Sequence, residues 1–295
     1  MKVSPFLPVF LSGVMLLSCQ SVSFKYDKPV PANAWTKGVS VPYKGPEGEF
    51  FVQVQIFFPE NFVKGELIRS VILLPPRGKA ITEWERNSTA KKMANKYKIA
   101  LICPDTGKSV YETSFYPETA DKWGPVPGGR WIAETLIPYM REQFALCRSR
   151  ENTGIIGIEA GARGAMLVAE KNPKLIGFAG GLSGLYDLAV INSSAYANVY
   201  GSKRQFADRW NKDDNIISLA PQLKNTAVYI VHGKRDEDVP IDHSQLLVIR
   251  LAQLKKQSPD AFNYKYIERN KSHNWDFWNS ELAEMFAFID QNCKP

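Results

Sequence analysis

Short, continuous apolar runs separated by amphipathic segments are the feature that most constrains the fold of this chain. The candidate strands of this kind are Val71–Leu74, Ala100–Cys103, Gly154–Ile158, Ile176–Ala179 and Ala227–Val231, with Tyr264–Ile267 as a weaker one. Runs that are apolar at every position suit parallel strands covered on both faces. An earlier candidate, Glu49–Pro59, has a different pattern. Its Val52, Val54 and Ile56 alternate with polar residues, which indicates a half-buried strand near a sheet edge.

The segments between these strands carry helical spacing of their apolar residues. They are Trp84–Lys96, Arg130–Phe144, Ala162–Lys171, Ile241–Lys256 and a stripe over residues 282–289. Alternating strands and helices predict an α/β fold with a mostly parallel central sheet and helices on both faces. Neither a repeat nor a linker interrupts residues 41–295, so we expect one domain there.

Composition excludes several classes of protein. Among 295 residues, 44% are hydrophobic and 23% are charged, which is ordinary for a globular chain and unlike a disordered one. The net charge of +7 is spread along the sequence rather than clustered, so we expect no nucleic-acid partner. The spacing of Cys and His suggests no metal site, and we expect no cofactor.

The N-terminal segment has the pattern of an export signal. Lys2 precedes a short apolar run, and Leu16-Leu17-Ser18 then leads directly to Cys19. This end resembles the lipobox of bacterial lipoproteins. The resemblance implies a signal peptide over residues 1–18, a lipid on Cys19, a tether over residues 19–40 and a membrane-anchored protein of the cell envelope. The alternative is an ordinary secretory signal with an incidental cysteine. The disulfide state of the remaining cysteines stays open (Cys103, Cys147 and Cys293).

The most informative motif follows the strand candidate Gly154–Ile158. Gly157-Ile158-Glu159-Ala160-Gly161 would form a tight turn from that strand into a helix. The nucleophile elbow of α/β hydrolases is Gly-x-Ser-x-Gly in the same strand–turn–helix setting. Glycines are required because the turn is strained and backbones crowd behind its central residue. Here Glu159 stands at the position of the serine.

Two further motifs follow in the chain order expected of that fold. Residues 232–240 read HGKRDEDVP after a strand, and residues 273–278 read HNWDFW before the last helix. With the elbow, they resemble the esterases of the α/β-hydrolase fold, the group that contains esterase D and S-formylglutathione hydrolase. The resemblance covers residues 45–292. It implies Asp236 as the acid and His273 as the base of a catalytic triad, and Glu159 at the nucleophile position. It also implies an oxyanion hole or pocket formed by Arg77, Gly78 and Ala160.

Two departures from the pattern of that family argue against ordinary serine-ester hydrolysis. Glu159 lacks the nucleophilic hydroxyl, and the oxyanion segment reads Pro75-Pro76-Arg77-Gly78, in which the prolines have no N–H to donate. We favour an esterase-like protein without serine-esterase activity. One alternative is an active hydrolase of an ester or related substrate that uses Glu159 or another nucleophile, such as Ser183. The other is a scaffold that binds an envelope component or a protein.

Charge suggests several expectations around this site. We expect the positive end of the following helix to lower the pKa of Glu159. His273, between Glu159 and Asp236, should have a raised pKa. Arg163 should be solvated, unlike Arg77, which could face Glu159 or hold an anionic ligand. His232 should be a structural residue at a strand end, and His243 should lie at the exposed start of a helix.

Overall fold

The structure is a computed structural model that describes residues 24–120 and 126–295. A single eight-stranded sheet has the order β1-β2-β4-β3-β5-β6-β7-β8. Its strands are β1 Trp35–Gly45, β2 Gly48–Phe57, β3 Arg69–Leu74, β4 Ile99–Pro104, β5 Thr153–Ile158, β6 Phe178–Leu182, β7 Ala227–Gly233 and β8 Asn263–Arg269. The strand β2 is antiparallel to β1 and to β4, and every later pair is parallel. The expected mostly parallel sheet is confirmed.

Strand β6 begins two residues later than the predicted Ile176–Ala179 and extends to Leu182. Because its centre is Gly180-Gly181, this strand does not form a continuous apolar run in the sequence. A Cβ at Gly180 would lie 2.8 Å from Cγ2 of Ile156 on the neighbouring strand. Close packing between β5 and β6 therefore requires small residues where a strand pattern would show branched ones.

The domain begins before residue 41, so the predicted tether over residues 19–40 is wrong from residue 24 onward. Strand β1 starts at Trp35 and pairs with β2 along its length. Upstream of it, the backbone N–H groups of Lys25 and Tyr26 both donate to the carbonyl of Gln143. The ring of Phe24 packs edge-on against Phe144 at 5.6 Å. Aromatic packing therefore holds this polar-looking segment on the domain.

Helices cover both faces of the sheet, as expected. One face carries α1 Glu83–Asn87, α2 Ala90–Tyr97 and α10 Trp275–Asn292. The other carries α4 Gly128–Trp131, α5 Ile137–Phe144, α6 Ala160–Lys171, α8 Ile216–Leu219 and α9 Asp242–Gln257. The short helices α3 Pro117–Ala120 and α7 Ser194–Tyr200 contact each other outside these two layers. Within the described ranges, no helix is long and apolar enough to span a bilayer.

Two predicted helices differ from a regular α-helix in the structure. The pattern over Trp84–Lys96 is divided between α1 and α2, because the Ser88 hydroxyl bonds the Trp84 carbonyl and accepts from the Ala90 N–H. Side chains of this type compete with the helix for its backbone groups. The pattern over Arg130–Phe144 forms one continuous helical rod, in which a π-helical turn, Ile132–Leu136, joins α4 to α5.

The segment between β6 and β7 forms a small apolar cluster that the sequence patterns did not predict. It contains α7, α8 and a π-helical turn at Arg209–Asp213, and its buried side chains include Tyr196, Tyr200 and Trp210. Val110, from the loop that follows β4, packs into the same cluster. This packing joins two loops at the carboxyl edge of the sheet, where sites of open α/β sheets lie.

Candidate active site

Glu159 occupies a strained turn between β5 and α6. Its backbone has φ 56° and ψ −116°, a region that residues with a side chain rarely adopt. Such conformations persist where the surroundings fix them. The Glu159 N–H donates to the Leu182 carbonyl at 3.0 Å, and its carbonyl accepts from the Arg163 N–H at 3.1 Å. The side chain is half-buried at the carboxyl edge of the sheet. The turn therefore presents a single carboxylate at the tip of β5.

Two glycines make this turn possible because backbone approaches them on the side where a side chain would lie. A Cβ at Gly157 would lie 2.2 Å from the carbonyl carbon and oxygen of Gly161. A Cβ at Gly161 would lie 2.4 Å from the Leu74 carbonyl oxygen and 2.6 Å from that of Pro75. The predicted glycine requirement of the motif thus has a direct steric cause, and the second glycine sets the distance between α6 and the end of β3.

Asp236 and His273 meet across the loops that follow β7 and β8. The Nδ1 atom of His273 lies 2.8 Å from Oδ2 and 3.0 Å from Oδ1 of Asp236. The Asp236 side chain is fully buried, while that of His273 is 13% exposed. Burial alone would raise the pKa of Asp236, but hydrogen bonds from His273 and from the Val239 N–H at 2.8 Å outweigh it and lower the pKa. Asp236 is therefore a buried carboxylate that orients the imidazole.

A second set of contacts holds this pair in place. The indole N–H of Trp278 donates to the Ser183 hydroxyl at 3.1 Å, and the Trp278 ring stands edge-on to His273 at 4.9 Å. Ser183 is fully buried, and hydrogen bonding from its hydroxyl contributes to the low pKa of Asp236. Ser183, an alternative nucleophile on sequence grounds, is thus placed as a buried support of the acid rather than at an accessible turn.

The other two histidines are structural, one as predicted and one not. The Nδ1 atom of His232 pairs with the Ser244 hydroxyl at 2.7 Å, and its Nε2 pairs with the Val239 carbonyl at 2.9 Å. The prediction of an exposed His243 is wrong: the residue is 5% exposed. Its Nδ1 accepts from the Asp187 N–H at 3.1 Å, because the first turn of α9 packs against the loop after β6.

Electrostatics at Glu159 differ from the sequence expectation. The pKa of Glu159 is raised rather than lowered, because burial of the carboxylate outweighs the attraction of His273 and Arg77. Nearby Asp238 raises it further. The expectation for His273 is confirmed. Burial lowers its pKa, but the hydrogen bond and charge of Asp236, with Asp238 and Glu159, outweigh burial and raise it. The site thus holds a carboxyl and an imidazole that both keep protons more strongly than usual.

The expected oxyanion residues are only partly placed to donate hydrogen bonds. Ala160 is the first residue of α6, so its N–H has no acceptor inside the helix. The Gly78 N–H instead donates to the Gly107 carbonyl at 2.8 Å, so Gly78 is not an oxyanion donor. Arg77 bonds the Lys108 carbonyl through Nε at 3.1 Å, and its charge lowers the pKa of Glu159. The Arg77 guanidinium thus lies close enough to Glu159 for its charge to favour the carboxylate.

The prediction of a solvated Arg163 is wrong, because the residue is fully buried beneath the turn. Its guanidinium donates to the Tyr200 hydroxyl at 2.9 Å and to the Asp214 carbonyl at 2.8 Å, and Tyr200 donates onward to the Asp214 carboxylate at 2.9 Å. Glu112 lies in the same region, and burial raises its pKa to about 7. The only sequence signal was an arginine inside the apolar pattern of α6, and its partners are too distant in sequence to identify.

Other sites for ligands are sparse in the part of the chain that the structure describes. No group of three or more His, Cys, Asp or Glu side chains could hold a metal ion there. A cavity of about 300 Å³ lies beside β2 and the loop after β4, lined by Phe51, Gln53, Asp105 and Lys108 among others. Gly107 also lines it, and the carbonyl of Gly107 accepts from Gly78. The loop after β4 therefore lines this cavity and also contacts the loop that contains Gly78.

Known proteins share this architecture. The sequence model of the family described as "Putative esterase" matches residues 51–289. An acetyl esterase of Caldicellulosiruptor saccharolyticus is 25% identical over 78% of this chain and 86% of its own length. The diacylglycerol acyltransferase/mycolyltransferase Ag85B of Mycobacterium leprae is 24% identical over 68% of each chain. Among solved structures, an S-formylglutathione hydrolase from Agrobacterium tumefaciens superposes with a TM-score of 0.68 at 15% identity, covering 92% of this chain and 100% of that one.

Proposed function

This chain belongs to the Putative esterase family and has its α/β-hydrolase fold, and from that premise we propose an esterase-like lipoprotein of the cell envelope without ordinary serine-esterase activity. The observation that carries the proposal is the residue at the tip of β5. In the elbow of a serine hydrolase this residue attacks the acyl carbon. A carboxylate there has no hydroxyl proton for His273 to take. Loss of a serine nucleophile costs on the order of 10⁶ in rate in a well-studied hydrolase.

The oxyanion side of the site supports the same proposal. The Gly78 N–H is already bonded, and Pro75 and Pro76 have none, so three of the four residues 75–78 offer no oxyanion donor. Losing one oxyanion donor typically costs about 10²–10³ in kcat. The buried Asp236–His273 pair nevertheless keeps the geometry of an acid and a base. We therefore infer a pocket that binds an ester or an envelope ligand without turning it over by acyl-enzyme chemistry.

Membrane attachment is the second part of the proposal. Cys19 and the signal peptide lie outside the described residues, so the proposal rests on the Leu-Leu-Ser-Cys motif and on the short apolar run before it. A lipid on Cys19 would hold the domain at a bacterial membrane, on its periplasmic or outer side. Stable anchoring of this kind requires more than one acyl chain.

A serine-directed probe tests the proposal. The wild-type protein should not be labelled by a fluorophosphonate, because the site offers no activated hydroxyl. Glu159→Ser should become labelled, since its hydroxyl would lie at the same edge of the sheet as His273, which can take the proton. Glu159→Ala should stay unlabelled. Labelling of the wild type at any serine would refute the proposal.

A second candidate function is supported by the raised pKa values of Glu159 and His273. A carboxyl group with a raised pKa is a better general base or acid near neutral pH, and carboxylate nucleophiles are known in other enzymes. Glu159 would then act directly on an ester or related substrate. Turnover of p-nitrophenyl acetate by the wild type, lost in Glu159→Ala but kept in Ser183→Ala, would establish this activity in place of the first proposal.

A further inference from the structure

The chain enters the folded domain only a few residues after the proposed lipid site. Phe24 already packs against Phe144, and its ring lies under the Lys64 ammonium at 4.6 Å. Cys19 lies five positions before Phe24. An extended chain spans at most about 3.6 Å per residue, so these five positions reach about 18 Å. A lipid on Cys19 would therefore keep the surface around Phe24 close to the bilayer.

An exposed turn with apolar flanks lies on that surface. The Glu66 N–H donates to the Val63 carbonyl at 3.0 Å and closes a turn, in which Gly65 has φ +91°. Val63 is 65% exposed and Leu67 is 49% exposed, although both are large apolar residues. Lys64 stands between them and also reaches the carbonyl of Tyr26 at 3.5 Å. The turn is thus packed against the segment through which the chain enters the domain.

The position of this turn in the fold is opposite to that of the candidate site. It lies in the loop from β2 to β3. Strand β3 begins at Arg69, which pairs with Ile99 at the start of β4. It therefore lies at the amino edge of the parallel strands, whereas Glu159 lies at the carboxyl edge, at the end of β5. A bilayer that contacts the turn would leave the other edge facing the aqueous compartment.

We propose that Val63, Lys64 and Leu67 form a membrane-docking turn that rests on the bilayer holding the Cys19 lipid. This inference depends on the lipid anchor proposed above. Apolar side chains with an adjacent Lys suit the boundary between headgroups and acyl chains, where apolar residues insert by about 5–10 Å. Exposed Lys28 and Asp27 border the same surface, and the Glu66 carboxylate accepts from the Val63 N–H at 2.9 Å. Docking directs the candidate site at Glu159 away from the anchoring membrane, so a ligand of that site comes from the aqueous or cell-wall side.

The test measures contact with lipid at single positions of the full, lipidated protein. Val63→Cys would carry a thiol-reactive fluorophore, and Val190→Cys would be the matched control, because Val190 is 59% exposed and follows β6 at the carboxyl edge. Labelling is selective because Cys103, Cys147 and Cys293 are buried. The proteins are reconstituted in vesicles of phosphatidylethanolamine and phosphatidylglycerol that contain lipids spin-labelled on the acyl chain.

We expect the spin-labelled lipids to quench the fluorophore at position 63 about threefold more than the one at position 190, since quenching requires approach to the acyl chains. Adding Leu67→Asp should at least halve quenching at position 63, whereas Ile249→Asp on the exposed face of α9 should not. Equal quenching at positions 63 and 190 would overturn the docking turn. Shielding of position 63 without lipid quenching would indicate a protein partner instead, and would also overturn it.

The same preparation separates failure of this inference from failure of the lipid anchor. Mass spectrometry of the purified chain and flotation with the vesicles report the anchor, independently of any label. A protein that is lipidated and floats, but shows no quenching at position 63, refutes the docking turn alone. A protein that is not lipidated and does not float refutes the anchor, and the docking turn with it.

Discussion

Replacing Gly157 by alanine tests how the Glu159 turn is held. The new Cβ would lie 2.2 Å from the carbonyl carbon and oxygen of Gly161 and 2.7 Å from the Ala162 nitrogen. Favourable contact between carbon atoms begins at about 3.5 Å, so backbone must move by about 1 Å. Overpacking of this kind costs about 1–3 kcal/mol. Since the obstructing atoms are backbone rather than a side-chain end, we expect about 3 kcal/mol, at the upper limit of that range.

The expected loss is large enough for thermal unfolding followed by circular dichroism. In a chain of this size, 1 kcal/mol corresponds to about 2–4 °C, so Gly157→Ala should lower Tm by about 6–12 °C. Gly154→Ala on the same strand is the control, because its Cβ would meet Phe178 and Val71 at an ordinary 3.4 Å. Alanine is also favoured over glycine in a strand by about 0.5–1 kcal/mol, so this variant should melt near the wild type or above it.

The comparison has a clear refuting result. If Gly157→Ala melts within about 2 °C of Gly154→Ala, the backbone of Gly161 and Ala162 does not pack closely against Gly157. The positive φ of Glu159 would then lack the packing that is needed to maintain it. The same variant should also prevent fluorophosphonate labelling of Glu159→Ser, since the displaced turn no longer aims its residue at the site.

Three further outcomes are expected. The pKa of His273 is raised in the folded protein, so its contribution to stability is fully present below the unfolded pKa near 6.5. The raised pKa of Glu159 contributes in the same way below its ordinary value of 4.5. Both contributions are lost as pH rises through the pKa of each group in the folded state. Melting curves should therefore show Tm falling from about pH 5.5 to 8.5, and a slope unchanged in Glu159→Gln would contradict this. Arg163→Met leaves three buried acceptors, the carbonyls of Val110 and Asp214 and the Tyr200 hydroxyl, without their donor. Since each unsatisfied buried group costs about 1–3 kcal/mol, the variant should lose about 3–5 kcal/mol in urea unfolding, whereas a loss below about 1 kcal/mol would show that these hydrogen bonds do not hold the fold. Cys19→Ser should move the protein from the detergent phase to the aqueous phase on extraction of membranes, and continued acylation of that variant would refute the anchor.

Features with local causes could be predicted from the amino-acid sequence. Strands covered on both faces need continuous apolar runs, so β3, β4, β5 and β7 were located within one or two residues. The glycines of the turn are fixed by backbone sterics over a few residues, so Glu159 could be placed between β5 and α6. The resemblance to the esterases then implied that Asp236 and His273 would meet, and the carboxyl ends of parallel strands do share one edge of the sheet.

Properties that depend on residues distant in sequence could be found only from the folded chain. Arg163 is buried because Val110, Tyr200 and Asp214 provide its acceptors, and no pattern near α6 encodes them. The Gly78 N–H is bonded because the loop after β4 brings the Gly107 carbonyl to it. The pKa of Glu159 rises because burial outweighs the charges around it, a balance that spacing along the chain does not contain. Hydrogen bonding and desolvation act through space, so a sequence can name the residues of a site without fixing their protonation or their partners.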